Sequence, residues 1–234
     1  MAERILVVDD EQEVADLLEL YLVNEGYQVY KFYQGKEAAE CVASREVDLA
    51  LLDVMLPDVD GFWLCQDIRR KYFFPIIMLT ARVEDVDKIK GLMLGADDYI
   101  TKPFNPLEVI ARVKTQLRRY HRYNGGGAPQ EGLPGEELEI RGLAMNQRTH
   151  CCSLYGKELS LTPLEFSVLW YLCSHQGEVV PSEELFEAVW KEKYLDHNNT
   201  VMAHIGRIRE KLKDSYRNQK FIKTVWGIGY TIEK

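Results

Sequence analysis

Four short apolar runs in the first half of the chain each end in a polar side chain, and this recurrence restricts the fold more than any other feature. Ile5-Leu6-Val7-Val8 leads into Asp9-Asp10, and Leu49-Ala50-Leu51-Leu52 into Asp53. Pro75-Ile76-Ile77-Met78-Leu79 leads into Thr80-Ala81, and Asp98-Tyr99-Ile100-Thr101 into Lys102-Pro103. Continuous apolar runs this short read as strands buried on both faces, the kind found in helix-covered parallel sheets. The segments between them have helical periodicity; Val14, Leu17, Leu18, Tyr21 and Leu22 are one example. The expected order is strand 5–9, helix 12–24, strand 27–31, helix 35–45, strand 48–53, helix 61–71, strand 75–80, helix 84–95, strand 98–101 and helix 105–120. Such βα alternation implies a doubly wound α/β domain. Ligands of such sheets bind beyond the carboxyl ends of the strands. Carboxylates, a hydroxyl and an ammonium gathered there can hold a divalent cation and a phosphoryl group.

A length of 234 residues leaves room for a second domain. Between 121 and 135, Tyr123-Asn124-Gly125-Gly126-Gly127-Ala128-Pro129 and Leu133-Pro134-Gly135 break both periodicities, which marks a flexible linker. Residues 136–234 open with short strands around Leu138–Leu143, Ala144–Asn146, His150–Leu154 and Lys157–Glu158. A helix follows Thr162, with Pro163 at its first position and Glu165 completing a capping box. A second helix starts after Pro181-Ser182, and a third runs from Asn199-Thr200 through Leu212. Phe221 to Ile232, with Gly227 and Gly229 at the turn, reads as a hairpin. Three helices and a hairpin make a winged helix, a DNA-binding architecture.

The net charge of −8 would argue against nucleic acid if it were evenly spread. Residues 1–120 carry a net −7 and residues 121–234 only −1. Within 204–223, seven Lys and Arg against two acidic residues give a local +5, where an electrostatic footprint would lie.

The motifs ILVVDDE, LLDVMLPDVDG, IIMLTA and GADDYITKPF, in that order, resemble the receiver domain of two-component response regulators. LSLTPLEF and TVWGIGYTIEK resemble the effector domain of the OmpR/PhoB group. Over its length the chain is most similar to regulators of vancomycin resistance, which implies cell-wall glycopeptide-resistance genes as targets. The resemblance implies strand order 2-1-3-4-5 and makes Asp53 the phosphoacceptor. It implies Mg²⁺ held by Asp9, Asp10, Asp53 and the backbone carbonyl of Met55, with Lys102 on the phosphoryl oxygens and a cis Lys102–Pro103 bond. Thr80 and Tyr99 become the switch pair. Met55 and Arg82, at positions that tune phosphate lifetime, carry no group able to aim water, so slow self-dephosphorylation is expected.

The same resemblance implies a dimer face on helices 84–95 and 105–120. Ile89, Leu92 and Ile110 would form its apolar patch, ringed by Lys88, Asp97, Asp98, Glu108, Arg112 and Arg119. Lys88 would pair with Glu108, and Asp97 or Asp98 with Arg112 and Arg119, across a two-fold axis. Helix 199–212 would enter the major groove. DNA-contact positions fall on Asn199, Met202, Arg207 and Arg209, with His204 touching the backbone or packing at the groove entry, and Lys223, Thr224 and Trp226 on the wing. Gly206 and Trp226 stand where many relatives carry arginine, so Gly206 removes one family contact and Trp226 cannot replace the arginine's charge. Implied partners are a membrane sensor histidine kinase, promoter DNA with direct repeats, RNA polymerase, and a second copy of the chain once phosphorylated.

The remaining signals fit a cytoplasmic protein. No apolar run approaches a membrane span of ~20 residues, and no signal peptide opens the chain. Five irregularly spaced cysteines lack metal-ligand spacing. Enzymatic activity beyond self-phosphorylation and dephosphorylation at Asp53 is not expected. A phosphatase-like hydrolase would need a second acid/base group, and no histidine lies near these strand ends. A phosphate-independent regulator with a vestigial receiver is opposed by the complete set Asp9, Asp10, Asp53, Thr80 and Lys102.

Overall fold

The computed structural model describes residues 2–81, 94–124, 137–191, 194, 200–214 and 220–233, with backbone alone for 122–124. The chain forms two compact units, Met1–Tyr120 and His121–Lys234. The first contains β1 (Arg4–Val8), α1 (Gln12–Asn24), β2 (Gln28–Phe32), α2 (Gly35–Ser44), β3 (Leu49–Asp53), α3 (Gly61–Arg69), β4 (Ile76–Thr80), β5 (Asp98–Thr101) and all but the last turn of α4 (Pro106–Asn124). All five strands are parallel, in the order β2-β1-β3-β4-β5. Alternate strand residues feed separate cores on the two faces of the sheet. Leu6, Val8, Ala50, Leu52, Ile76 and Met78 pack with α2 and α3. Ile5, Val7, Leu49, Leu51, Ile77 and Leu79 pack with α1 and α4. This is the two-sided burial that unbroken apolar strands require. Most of the expected helix 84–95 lies outside the described residues.

Local capping explains where the helices begin. Asp60 accepts the Phe62 N–H at 2.8 Å at the start of α3, and Asn105 accepts the Leu107 N–H at 2.9 Å at the start of α4. The start of α2 is capped from a distance: Asp58 accepts the N–H groups of Gly35 and Lys36 at 2.8 and 2.9 Å. That contact also fixes the loop following Asp53.

The second unit contains β6 (Glu137–Ile140), β7 (Leu143–Asn146), β8 (Cys152–Leu154), β9 (Lys157–Glu158), α5 (Pro163–Ser174), β10 (Val180–Pro181), α6 (Ser182–Trp190), α7 (Thr200–Lys211), β11 (Ile222–Val225) and β12 (Gly229–Ile232). The strand expected over Leu138–Leu143 is interrupted. Arg141 and Gly142 have φ of 53° and 82°, the paired left-handed geometry of a tight hairpin turn. The wing has three strands rather than two, because Val180–Pro181 pairs with β12 and gives the order β10-β12-β11. The capping box at Thr162 forms as expected: its hydroxyl accepts the Glu165 N–H at 3.3 Å, and its N–H donates to Glu165 Oε2 at 2.8 Å.

Candidate functional site

Strand register brings the polar strand ends of the first unit together. Val8 pairs with Leu52, Asp53 with Leu79, and Thr80 with Thr101. Asp9, Asp53, Thr80 and Lys102 therefore lie along one edge of the sheet, at β1, β3, β4 and β5. Carboxylate oxygens of Asp9, Asp10 and Asp53 all lie within 4.8 Å of one another. Lys102 Nζ is 2.7 Å from Asp53 Oδ2, 3.0 Å from Asp9 Oδ1 and 3.0 Å from Glu11 Oε1. Asp53 Oδ1 accepts the Met55 N–H at 3.1 Å, which sets the rotation of the carboxylate. Lys102 is anchored through its N–H to the Thr80 carbonyl at 2.7 Å, and its bond to Pro103 is cis.

The electrostatics follow from burial. Asp9 and Asp53 are buried and Asp10 is exposed. Burial pushes the Asp9 carboxyl up to about 6 and outweighs the hydrogen bond from Lys102, while the Asp53 charge adds to the rise. Burial lowers the Lys102 ammonium pKa, but hydrogen bonds to Asp53, Asp9 and Glu11 more than reverse this and hold it above its ordinary value. Asp9 Oδ2 lies 2.8 Å from Nζ without a directed hydrogen bond, a buried oxygen still able to take a ligand. Three convergent carboxylates with no nitrogen or sulfur donor suit a hard divalent cation such as Mg²⁺.

Thr80 is buried and Tyr99 half-buried. Tyr99 pairs with Met78, two residues before Thr80, so both side chains fall on the same face of the sheet.

Several residues of the expected dimer face are buried or make contacts within their own chain. Asp97 is 3% exposed and pairs within its own chain, with Arg69 Nη2 at 2.6 Å and the Ile76 N–H at 2.9 Å. Arg69 also donates to the carbonyls of Gly95, Tyr72 and Phe74, so the pair clamps the end of α3 to the start of β5. Asp98 is buried against Arg112 at 2.9 Å, and Arg112 also reaches Glu108 at 3.1 Å within the same chain. Ile110 is core, 4% exposed, because α4 turns inward along Val109, Ile110, Val113, Gln116 and Leu117. Among the described residues, the large apolar side chain that α4 exposes is Leu107, which the sequence reading missed. Arg119 is half-buried. Lys88, Ile89, Leu92 and Arg82 lie outside the described residues.

The expected DNA contacts need a similar correction. His204 is fully buried edge-on to the Trp190 ring at 5.1 Å. Arg207 is 7% exposed, with Nε 3.4 Å from Glu165 Oε1 and Nη2 2.5 Å from His204 Nδ1. Guanidinium has no acceptor, so any hydrogen bond between these two side chains runs from Arg207 to the ring. Arg209 is buried too, donating to the Ile222 carbonyl and to Thr224 Oγ1, both at 2.8 Å. These three side chains hold α7 to α5, α6 and the wing instead of facing outward. Met202 and Trp226 are exposed, Thr224 is half-buried beneath Arg209, and Lys223 is half-buried and ion-paired with Glu233. Asn199 lies outside the described residues.

Comparison with known proteins agrees with both halves. Residues 5–114 match the family described as "Response regulator receiver domain", and residues 156–232 match "Transcriptional regulatory protein, C terminal". The chain is 62% identical to the regulatory protein VanRc of Enterococcus gallinarum over all of both chains. It is 54% identical to the regulatory protein VanR of Enterococcus faecium, again over the full length of both. Among solved structures, a mutant of RitR matches at 26% identity and a TM-score of 0.74, covering all of both chains. DrrB, an OmpR/PhoB homologue from Thermotoga maritima, matches at 31% identity and a TM-score of 0.51 with the same coverage.

Proposed function

The chain belongs to the response regulators that join a receiver domain to an OmpR/PhoB-type transcriptional regulatory domain, and we propose that phosphorylation of Asp53 governs its binding to promoter DNA. The observation that carries this reading is the convergence of Asp9, Asp10, Asp53 and Lys102 on one sheet edge. Receiver domains bind Mg²⁺ at an acidic pocket, and here Asp9, Asp10, Asp53 and the Met55 carbonyl would hold it. The bound metal offsets the repulsion between an anionic nucleophile and an anionic phosphoryl group.

The side chains divide the remaining work. An Asp53 oxygen attacks phosphorus as the bond to the donor's leaving group breaks, and the acyl phosphate keeps the phosphoryl group on Asp53. Lys102, already 2.7 Å from Asp53, follows the transferred oxygens as a positive charge. The Thr80 hydroxyl and Ala81 N–H then donate to a phosphoryl oxygen, and Tyr99 moves into the space that Thr80 leaves. A few kcal/mol of differential binding is enough for such a shift of population.

A response regulator works between a sensor histidine kinase and promoter DNA. We further assign dimerisation on phosphorylation, contact with RNA polymerase at direct repeats, and a cytoplasmic location. No helix among the described residues is long and apolar enough to cross a membrane. The controlled genes, on the likeness to VanRc and VanR, are those of glycopeptide resistance. The protein accepts and loses its own phosphoryl group and turns over no other substrate.

The test uses full-length protein with Mg²⁺ and acetyl phosphate. Intact-mass measurement should find one phosphoryl group on the wild type and none on Asp53→Asn. Affinity for selected genomic fragments, at ~0.15 M salt, should rise with the donor for the wild type alone. Equal fragment recovery with and without donor would sink the switch. Phosphorylation of D53N would sink the choice of acceptor.

A further inference from the structure

The tip of the wing is apolar and bare. Trp226 is 77% exposed and Ile228 56%, one on each side of Gly227 at the β11–β12 turn. Tryptophan is highly buried on average, so an indole left this far in water needs a reason beyond packing. Its support is firm. The Ile228 N–H donates to the Val225 carbonyl at 3.0 Å, the Ser182 N–H donates to the Ile228 carbonyl at 3.2 Å, and β12 is flanked by β10 and β11. Arg209 ties the same hairpin to α7 through Ile222 and Thr224. The only Lys or Arg between Ile222 and Ile232 is Lys223, and it is held by Glu233. The wing therefore presents an uncharged aromatic edge on a rigid mount joined to α7.

We propose that Trp226, seconded by Ile228, enters the minor groove as an apolar wedge that partly unstacks one base step and bends the duplex. This rests on the DNA-binding reading above and specifies how the wing carries it out. Apolar side chains inserted between base pairs kink DNA toward the major groove. Pyrimidine–purine steps unstack most readily, so a TA or CA/TG step is expected beneath the wing. A cationic wing would act differently, by releasing counterions, and salt dependence separates the two modes.

The experiment takes full-length protein treated with Mg²⁺ and acetyl phosphate, and a duplex that the wild type selects from a random-sequence pool. Affinity is measured over a salt series and bending by circular permutation. Because the side chain is exposed, Trp226→Ala should unfold at the wild-type urea midpoint. It should bind about 10-fold more weakly or worse, with a smaller bend and an unchanged slope of log affinity against log salt. Trp226→Phe should keep most of both effects. Trp226→Arg should steepen the slope by about 0.9 without restoring the bend. Unchanged affinity in W226A, or weaker binding with the full bend, overturns the wedge. If the wild type selects no duplex, the DNA-binding reading itself has failed and the wedge falls with it.

Discussion

Gly61→Ala is expected to abolish phosphoryl acceptance at Asp53 and to destabilise the receiver by about 3 kcal/mol. A Cβ on Gly61 would stand 1.9 Å from the Asp53 carbonyl oxygen and 2.9 Å from both Asp53 C and Val54 Cα. All three atoms are backbone, so no rotamer change relieves the clash. The Gly61 N–H also donates to the Val54 carbonyl at 3.0 Å, and Met55 bridges to Asp60, so the loop after β3 is folded tightly onto the strand end. An added methyl must push the first turn of α3 away or displace Asp53 from Lys102 and Asp9. Reacting groups tolerate little of this, since a shift of about 1 Å can cost on the order of 100-fold in rate. Gly26→Ala is the control. Its φ is +88° with nothing within 4 Å of the added atom, so it should cost about 1 kcal/mol and leave acceptance intact. Urea unfolding with intact-mass phosphorylation reads both variants, and wild-type acceptance in G61A would refute the argument.

The parts of this protein legible in its sequence are those fixed by local pattern and chain direction. Parallel strands all end at the same edge, so finding the ends of four apolar runs was enough to gather Asp9, Asp53, Thr80 and Lys102. Contacts between distant segments were not legible. Asp97 looked like a surface charge because its partner, Arg69, lies 28 residues away. Arg207 looked like a groove contact because Glu165 is far off in sequence and was assigned only to a helix cap. A local positive charge count shows that cations are present and says nothing of which ones are already paired. His204 was a different error, with its signal in plain view. Val201, His204, Ile205, Ile208 and Leu212 follow helical spacing, so periodicity alone places the imidazole in the core stripe. Leu107 escaped notice because one exposed apolar residue at a helix start has no pattern to mark it.

Glu165→Ala should destabilise the effector domain by about 4 kcal/mol, because one carboxylate holds three structures together. It closes the capping box of α5 on Thr162, receives Lys211 Nζ at 2.6 Å, and lies 3.4 Å from the buried Arg207. Burial alone would push its pKa up, but the charges of Arg207 and then Lys211, with the Thr162 N–H, hold it below the ordinary 4.5. Without the carboxylate, the Arg207 guanidinium stays buried against His204, and an uncompensated buried charge costs far more than the pair contributes. Two further variants separate the causes. Glu165→Gln keeps a capping side chain and loses the charge, so it should retain the cap's share, about 1 kcal/mol. Replacing Glu165 by Ala together with Arg207 by Met removes both charges and should recover much of the loss. Three of the four tryptophans, Trp170, Trp190 and Trp226, lie in this unit, so their fluorescence in urea follows its unfolding within the full chain. The charge contribution also has a pH signature. A carboxylate held below its unfolded value stabilises fully above that value, about 4.5, and loses the effect as pH falls through the lowered native value. The gap between wild type and E165Q should thus be constant from neutral pH to near 5 and shrink below 4.5. A gap that stayed constant into that acid range would mean that Glu165 acts through shape and hydrogen bonding alone.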